Sequence, residues 1–530
     1  MTFLCHHNPN KSYISLLGLV VIFIFSGCSK LIKKDDSKPN IIYVLADDLG
    51  YGDISGFNEE SKIKTHHIDQ LATQGMLFTD AHTSSSVCTP TRYGILTGRY
   101  NWRSTLKSGV LTGKSNALIP TSRSTVASML KTQGYHTAFM GKWHLGWDWA
   151  LKYRDSLSGA GWDAHDFDPI DFSKPIKHGP NDLGFDYAYG FSGSLDMAPY
   201  VYVENGKATM IPDSVTQNTG KYSWWRKGPT SKDFIHEDVT PNLFRRAFTY
   251  IREKAEEKDP FFLYLALPAP HTPILPTKSW QNKSGLNPYA DFVLMIDAYI
   301  GALTKTIEQA GIAENTLVIF TSDNGCSPQA DYEILKAKGH NPSYIYRGHK
   351  ADIFEGGHRV PFIIKWPKVI PQGTVSNETI CTTDFMATCA ELSGYTLSDH
   401  EAEDSFSMLP LLKQEDLGAP FREAVVHHSI NGSFAIRKGP WKLIMCPGSG
   451  GWSFPTPKNR KALDSLPQYQ LYNLKDDPGE TQNVIDSYPE KIKDLKTLLI
   501  SYIENGRSTP GIPQNNDAID FQWKQIDFIE

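Results

Sequence analysis

The stretch NIIYVLADD, residues 40–48, sets the fold class of this chain. Its first seven residues are mostly apolar and rich in β-branched side chains. A short run of this kind is typical of a strand that is buried on both faces. The run stops at Asp47 and Asp48, two adjacent carboxylates. We therefore predict a buried strand over residues 40–46 that places an acidic pair at its carboxyl end.

Apolar runs like this one alternate with helical patterns along most of the chain. Such alternation predicts an α/β fold with a large mixed, mostly parallel sheet flanked by helices. The predicted strands after the first cover residues 135–140, 261–267 and 316–320, and the predicted helices cover residues 68–75, 125–134, 241–256 and 291–310.

The pattern changes near residue 420. Short apolar segments separated by Gly, Pro and Asn turns predict a smaller antiparallel sheet, and residues 489–505 predict a closing helix with one apolar face. We therefore divide the folded chain into a main α/β domain over residues 39–420 and a C-terminal α+β subdomain over residues 421–530. The predicted strands of this subdomain cover residues 424–428, 433–437, 442–445 and 470–473.

Charge and composition exclude one class of partner. The chain has 530 residues and a formal net charge of −5, whereas a nucleic-acid-binding protein needs a basic face. The apolar, aromatic and charged fractions are ordinary for a globular protein. Any attraction for an anionic ligand must therefore come from a local cluster of Lys, Arg, His and metal.

The first residues resemble the export signal of a bacterial lipoprotein. An apolar run over residues 14–25 is too short to span a bilayer as a helix, and the lipobox-like FSGC that follows ends at Cys28. The resemblance implies a lipoprotein signal peptide over residues 1–27, a lipidated Cys28 and a polar tether over residues 28–38. We then expect a protein of the bacterial cell envelope, held at the outer membrane by its lipid anchor only and facing the periplasm or the surface. The alternative is an ordinary secretory signal with an incidental cysteine.

Four predicted strands each end in side chains that can bind a ligand. Ligands of open α/β sheets bind at the carboxyl edge of the strands, so we expect these side chains to lie close together. Carboxylate and amide oxygens suit a hard divalent cation such as Ca²⁺ or Mg²⁺ better than Zn²⁺. The side chains are Asp47 and Asp48, Lys142 and His144, His271, and Asp323 and Asn324.

The stretch CTPTRYGILTGR, residues 88–99, resembles the signature of the type I sulfatases. Its core, Cys-x-Pro-x-Arg, begins at Cys88, and the family usually has Ser at the position of Thr91. Two further segments, GKWHLG at residues 141–146 and EGGHRVP at residues 355–361, match family motifs in the same order. A single cysteine is more often a small buried apolar residue, but three motifs in the family order favour the sulfatase interpretation.

The resemblance implies an enzyme that hydrolyses sulfate monoesters. In that family the cysteine is oxidised to formylglycine, also called 3-oxoalanine, whose aldehyde hydrates to a gem-diol that attacks the ester. Such a nucleophile can later expel sulfate by reforming the aldehyde. A formylglycine-generating maturation enzyme is therefore an expected partner, and the chain with unmodified Cys88 should be nearly inactive.

The resemblance also implies a role for the charged residues near the sheet edge. Asp323 would take the proton of the attacking hydroxyl, and His271 would contact the sulfate and help protonate the leaving oxygen. Lys142 would hold the formylglycine oxygen, and His144 would take the second gem-diol proton when the sulfated intermediate breaks down.

Two further cations complete the implied catalytic set. Arg92 would hold charge close to the nucleophile, and Lys350 would bind the sulfate and stabilise the departing alkoxide. Arg359, in the EGGHRVP segment, is interpreted as a structural ion-pair residue, and His349 has no clear role.

The family also implies one metal ion, Ca²⁺, with Mg²⁺ as the second choice. Two adjacent carboxylates in a cleft repel each other unless a cation neutralises them. The implied ligands are Asp47, Asp48, residue 88 as formylglycine, Asp323 and Asn324.

Four cysteines remain outside the leader, the lipobox and the motif. In an oxidising compartment they allow one or two disulfides, whose pairing the sequence does not assign. Their spacing is not that of a zinc site. These cysteines are Cys326, Cys381, Cys389 and Cys446.

A lipid-anchored envelope sulfatase fits removal of sulfate from polysaccharide-derived oligosaccharides. Candidate sugar contacts are Asp196, Tyr200, Trp225 and Arg226, because aromatic rings stack on sugar faces and charged groups bind hydroxyls. Two alternatives stay open at this point: a phosphate or phosphonate monoester hydrolase of the same superfamily, and a catalytically dead glycan-binding lipoprotein.

Overall fold

A ten-stranded sheet runs through the computed structural model, which describes residues 37–153, 167–517 and 524–529. The strands that these residues form are β1 Asn40–Asp47, β2 Met76–Phe78, β3 Ala81–His82, β4 His136–Lys142, β5 Tyr187–Phe191, β6 Val203–Glu204, β7 Lys207–Ala208, β8 Ser214–Asn218, β9 Trp225–Thr230, β10 Phe261–Pro270, β11 Thr316–Ser322, β12 Phe362–Lys365, β13 Thr374–Ser376, β14 Ile380–Cys381, β15 Val425–His428, β16 Phe434–Lys438, β17 Trp441–Ile444 and β18 Gln470–Asn473.

The helices of the same residues lie between these strands. They are α1 His66–Thr73, α2 Cys88–Thr97, α3 Val126–Thr132, α4 Val239–Ala255, α5 Pro288–Gln309, α6 Tyr332–Ala337, α7 Glu355–His358, α8 Phe385–Ser393, α9 Leu409–Leu412, α10 Arg460–Leu463 and α11 Pro489–Glu504.

The main sheet is mixed and mostly parallel at its centre, which confirms the predicted fold class. Its strand order is β13-β2-β12-β11-β1-β10-β4-β5-β6-β7. The five neighbouring strands β11, β1, β10, β4 and β5 are all parallel. Their carboxyl ends therefore share one edge, and the predicted ligand-binding side chains of β1, β4, β10 and β11 meet there.

Strand β1 is buried on both faces, as its sequence predicts. Alternate side chains enter two separate hydrophobic layers. Tyr43 packs in the layer that contains helices α3 and α8, whereas Val44 packs in the layer that contains α1, α4 and α5. The helices thus flank the sheet on both sides, which explains why the strand reads as a continuous apolar run.

Most predicted boundaries differ from the observed ones by a few residues. Strand β10 continues three residues beyond the predicted end at residue 267, in spite of Pro268. This is possible because pairing with β4 ends at Ala266, so the prolines at 268 and 270 interrupt no hydrogen-bond ladder on that side.

The C-terminal region forms a four-stranded antiparallel sheet, β15-β16-β17-β18, with α11 packed on it. This matches the predicted sheet-plus-helix subdomain. Residues 38–530 form one compact unit, so the proposed boundary at residue 420 stays a prediction.

The cysteines that the structure describes do not form disulfides. Cys326, Cys381, Cys389 and Cys446 are free thiols buried in the core, as is Cys88. The disulfides that the sequence allowed are therefore absent from the described residues. The predicted signal peptide, Cys28 and most of the tether lie outside those residues. Among the described helices, none combines the length and apolar character needed to cross a membrane.

A buried histidine cluster joins the small sheet of β3 and β14 and helix α7 to the C-terminal sheet. His82 Nδ1 lies 3.1 Å from His358 Nδ1, and the His358 ring stacks on His427 with centroids 3.8 Å apart. Lys442 Nζ donates to His358 Nε2 at 3.0 Å, and His82 Nε2 contacts Asp80 at 2.9 Å. Burial lowers the pKa of all three histidines below the ordinary value, so they are neutral in the folded protein at neutral pH.

This cluster predicts that the protein loses stability in mild acid. Below pH ~6.5 the unfolded chain binds protons that the folded histidines do not, so the free energy of unfolding falls as the pH falls. We expect His427→Phe to lose less stability between pH 7 and pH 5 than the unmodified protein, by up to about 2 kcal/mol. Urea denaturation at the two pH values measures this, with the exposed His66→Gln as the control. Equal pH dependence in all three proteins would contradict the prediction.

Candidate active site

Three carboxylates and one amide lie together at the carboxyl edge of the parallel strands. Asp47 ends β1 and Asp48 follows it, while Asp323 and Asn324 follow β11; all four side chains are buried. Asn324 Nδ2 donates to Asp48 at 2.7 Å, and its Oδ1 is buried without a hydrogen-bond partner in the described structure. Asp47 Oδ1 likewise has no partner among the residues described. Unpartnered buried oxygens on neighbouring acids are the donor set of a hard divalent cation, so this site fits the predicted metal.

Three cations surround the acidic residues. Lys142 Nζ lies 2.6 Å from Asp47, Lys350 Nζ lies 2.7 Å from Asp48, and Arg92 donates two hydrogen bonds to Asp323 at 2.8 and 3.0 Å. Each pair joins residues far apart in the sequence, so the charge arrangement exists only in the folded chain.

The surrounding charges shift the pKa values of two carboxyls in opposite directions. Burial alone favours the neutral acid, but Lys142, His271 and Arg92 hold the pKa of Asp47 below its ordinary value. Burial and the charge of Asp47 raise the pKa of Asp323 to about 7, against the opposing effect of Arg92. One member of the pair is therefore held as a carboxylate, and the other is poised to exchange a proton near neutral pH.

Cys88 begins helix α2 and lies beside these groups. Its Sγ, Asp47 and Asp323 present ligand atoms within 4.8 Å of one another. Burial raises the pKa of the Cys88 thiol in spite of Lys142 and Lys350. Since only the thiolate is a good nucleophile, the residue as translated is poorly suited to attack an ester.

The threonine at position 91 keeps the hydrogen bond that the motif needs. Thr91 Oγ1 donates to the carbonyl of Ser85 at 3.0 Å, and it lies in the first turn of α2. A serine hydroxyl could make the same bond. The hydroxyl at position 91 thus makes a hydrogen bond that is open to either residue.

Two histidines present ring nitrogens for proton transfer. His144 Nε2–H donates to the carbonyl of Leu111 at 2.7 Å, which leaves Nδ1 buried and without a partner in the described part of the chain. His271 lies just past β10, and its Nε2 is 3.6 Å from Asp48. Burial lowers the pKa of both rings, assisted by Lys142 at His144 and by Lys350 at His271.

The segment that contains Lys350 turns tightly against α7. A side chain on Gly356 would clash with the carbonyl oxygens of Gly348 and Arg347, at 2.4 and 2.6 Å from its Cβ position. Arg359 pairs with Asp80 at 3.0 Å and with Glu355 at 3.2 Å. Its predicted role as a structural ion-pair residue is confirmed.

Above Cys88 a cavity of about 260 Å³ opens to the surface. Asp196 and Arg226 line it and pair with each other at 2.5 Å, while Asp196 Oδ1 is buried without a partner in the region described. The structure does not place the other two predicted sugar contacts on this wall. Tyr200 is buried and donates its hydroxyl to the Arg226 carbonyl at 2.7 Å, and Trp225 stacks on His236 instead. Tyr200 and Trp225 therefore pack behind the side chains that line the cavity.

Other lining residues were not predicted from the sequence. Trp224 stands beside Trp225 and packs under the Arg226 guanidinium, 4.6 Å from its ring centroid. Trp452 comes from the connection between β17 and β18, far from every motif. In an extended segment every second side chain faces the same side, so the candidate Arg226 could have favoured Trp224 over Trp225 as a lining residue. No sequence pattern near Trp452 indicates that it lines the cavity. The unpredicted lining residues include Val110, Trp224, Gln329, Ile430 and Trp452.

Comparisons with known proteins agree with this geometry. The family model described as Sulfatase matches residues 39–395. The chain is 34% identical to an N-acetylgalactosamine-6-O-sulfatase of Bacteroides thetaiotaomicron, over 93% of this chain and 99% of that protein. It is 31% identical to human arylsulfatase A, over 87% of each chain. A solved Bacteroides thetaiotaomicron structure from work on the metabolism of multiple glycosaminoglycans superposes with a TM-score of 0.75 at 33% identity, covering 88% of this chain and 99% of that one.

Proposed function

This chain belongs to the sulfatase family, and from that premise we propose that it removes 6-O-sulfate from N-acetylgalactosamine residues of sulfated glycans, using formylglycine at position 88 and one Ca²⁺. Members of this family are sulfuric ester hydrolases that generally use a metal ion and formylglycine. The sugar is proposed from the similarity to the Bacteroides N-acetylgalactosamine-6-O-sulfatase, which spans almost the whole of both chains.

One observation carries the enzymatic part of the proposal. Four cationic or proton-carrying groups lie around residue 88 at the base of the cavity: Lys142, Lys350, Arg92 and His271. A sulfate ester gathers negative charge on its leaving oxygen as the bond breaks. Fixed positive charge in a water-poor site stabilises that transition state more than it would in water.

Residues at the carboxyl edge of the sheet would hold the metal ion. Asp47, Asp48, Asp323, Asn324 and residue 88 would hold the ion. When bound, the ion polarises the sulfate oxygens and the hydrated aldehyde supplies the nucleophilic hydroxyl.

The chain's own side chains then move the protons. The Asp323 carboxylate would accept the proton of the attacking hydroxyl, since its ligand atom lies within 4.8 Å of that of residue 88. His271 in its protonated form would donate from Nε2 to the leaving oxygen, since the ring lines the cavity and its Nε2 lies 3.6 Å from Asp48. His144 accepts a proton at Nδ1 when sulfate is released, because that nitrogen carries no other hydrogen bond.

Asp196 supports recognition of a sugar. One of its oxygens is held by Arg226, and the other is buried at the cavity wall with no partner in the described structure. A sugar hydroxyl is the simplest donor for that oxygen, because an unpaired buried acceptor is costly. A simple aryl sulfate has no such hydroxyl.

The function is tested by comparing esters of different acids and alcohols. We expect the mature protein to hydrolyse nitrophenyl sulfate and 6-sulfated N-acetylgalactosamine far faster than nitrophenyl phosphate. A preference for phosphate would overturn the sulfatase assignment. Turnover of nitrophenyl sulfate without turnover of the sulfated sugar would overturn only the proposed substrate.

Replacing Asp196 separates sugar recognition from chemistry. We expect Asp196→Ala to lower kcat/KM for 6-sulfated N-acetylgalactosamine about tenfold or more, since a charged hydrogen bond of ~1.5–3 kcal/mol is lost. Hydrolysis of nitrophenyl sulfate should change little. Asp238→Ala removes a similar Asp–Arg pair at the surface, with Arg245, and serves as the control. Equal losses on both esters would assign Asp196 to the structure of the site rather than to the sugar.

The proposals about the lipid anchor and the maturation enzyme rest on the sequence alone. We propose that Cys28 carries the lipid that holds the enzyme in the bacterial envelope and that a formylglycine-generating enzyme matures Cys88. Mass spectrometry of the N-terminal peptide from the native host tests the first proposal. An unlipidated N-terminus cleaved elsewhere would favour the ordinary secretory signal.

A further inference from the structure

The cavity above Cys88 is too small for more than one sugar. Its volume of about 260 Å³ lies below the ~300–1,000 Å³ of pockets that enclose a drug-sized ligand. If the substrate is an oligosaccharide, the sugar next to the sulfated one must lie outside the cavity, against whatever surface borders its mouth.

One exposed aromatic side chain lines the cavity, and a second follows it closely in the chain. Trp452 lines the cavity and is 42% exposed, and Phe454, two residues further on, is 73% exposed. Both belong to the connection between β17 and β18. An aromatic side chain that lines a ligand cavity and stays partly exposed offers a ligand a rigid apolar surface with a polar edge.

The segment that carries them is fixed by Asp352, a buried carboxylate. Asp352 Oδ1 accepts hydrogen bonds from the backbone N–H groups of Trp452 and Ser453 at 2.8 and 2.9 Å, and its Oδ2 accepts one from Ser453 Oγ. His349 Nε2 lies 3.1 Å from the same hydroxyl. His349, which had no role in the sequence analysis, therefore helps to hold this segment.

The backbone of the segment also lies close against the main domain. The Cβ position of Gly451 falls 2.4 Å from the carbonyl oxygen of Ala351 and 2.5 Å from Asp352, so only glycine fits. Asp352 is two residues from Lys350, whose Nζ lies in the active site. The backbone of Trp452 and Ser453 is thus bonded directly to Asp352, and Phe454 is the next residue in the chain.

We propose that Trp452 and Phe454 form a second sugar-binding site, which holds the sugar residue attached to the sulfated one in an oligosaccharide substrate. This proposal rests on the proposed function. The chemistry is stacking: an aromatic ring presents a flat apolar surface that matches the C–H face of a pyranose. The rigid segment lowers the entropy lost when the sugar binds.

The test compares a single sugar with a short chain. We expect the unmodified enzyme to have a higher kcat/KM for a trisaccharide that ends in 6-sulfated N-acetylgalactosamine than for the monosaccharide. Phe454→Ala should lower kcat/KM for the trisaccharide about tenfold, or 1.4 kcal/mol, through KM, and leave the monosaccharide and nitrophenyl sulfate unchanged. Trp452→Ala should show a larger loss on the trisaccharide than on the monosaccharide, and Trp452→Phe should restore part of it.

An exposed apolar residue elsewhere provides the matched control. Ile512 is 65% exposed, and Ile512→Ala should leave all three substrates unchanged. Equal effects of Phe454→Ala on monosaccharide and trisaccharide, or no effect on either, would overturn the second sugar site while leaving the proposed function intact. Failure of the unmodified enzyme to act on any form of the sulfated sugar would instead overturn the proposed function.

Discussion

Cys88→Ala should abolish sulfatase activity while leaving the fold intact. Residue 88 lies at the start of α2 among Lys142, Lys350, Asp47 and Asp323, and no other described group in the cavity could replace it as the source of an aldehyde. Removal of a covalent nucleophile lowers kcat by about 10⁶ in a well-studied protease, and we expect a loss of that order. Alanine fits the buried space of cysteine, so the thermal midpoint should change little.

The same experiment tests maturation. Mass spectrometry of the peptide around residue 88 should show a mass about 18 Da below that of cysteine, the difference between a thiol and an aldehyde side chain. Cys446→Ala, at another buried free thiol, is the control and should keep its activity. Active enzyme with an unmodified thiol at position 88 would refute the formylglycine mechanism.

Removal of the metal ion should lower sulfatase activity almost as much as Cys88→Ala does. Asp47, Asp48 and Asp323 are buried carboxyls that lie close together beside Asn324. Asp47 Oδ1 and Asn324 Oδ1 lack hydrogen-bond partners in the described structure. Chelation with EGTA should lower kcat/KM about a thousandfold or more, since a metal ion contributes several kcal/mol of charge stabilisation. Added Ca²⁺ should restore the activity, and Mg²⁺ should restore it less well.

A variant separates metal binding from catalysis. Asp48→Asn keeps the shape of the side chain but removes one charge, so the calcium content of the purified protein should fall, as measured by atomic absorption. The thermal midpoint should also stop rising when calcium is added. Asp494→Asn, on the exposed face of α11, is the control. Full activity of a protein with no detectable metal would contradict the assignment.

The arrangement of the catalytic groups could be predicted from the sequence because parallel strands obey a simple rule. Strands β1, β4, β10 and β11 each read as apolar runs, and each ends in polar residues. Neighbouring parallel strands end at one edge, so Asp47, Lys142, His271 and Asp323 had to meet there. Family motifs then identified Cys88 and Lys350.

The substrate side of the site could be predicted only in part. Asp196 and Arg226 line the cavity, but Tyr200 and Trp225 pack behind its wall. The segments that contain these four residues are irregular or short. Their sequences therefore show no regular spacing of apolar residues from which the direction of a side chain could be predicted. The number of cysteines also allowed disulfides, whereas the described cysteines lie buried as free thiols in separate parts of the core.

The sequence by itself determined the fold class, the sulfatase family and the chemical character of the sheet edge that holds the proposed active site. Local properties were enough for this, namely the spacing of apolar residues, the residues at strand ends and the family motifs. The tertiary structure alone decided which charges pair, such as Arg92 with Asp323 and Lys350 with Asp48, and which aromatic rings border the mouth of the cavity. Trp452 lies more than 350 residues from Cys88 in the chain, and it reaches the site only because the C-terminal sheet packs on the main domain. Contacts of that kind depend on packing between distant segments, which no local pattern encodes.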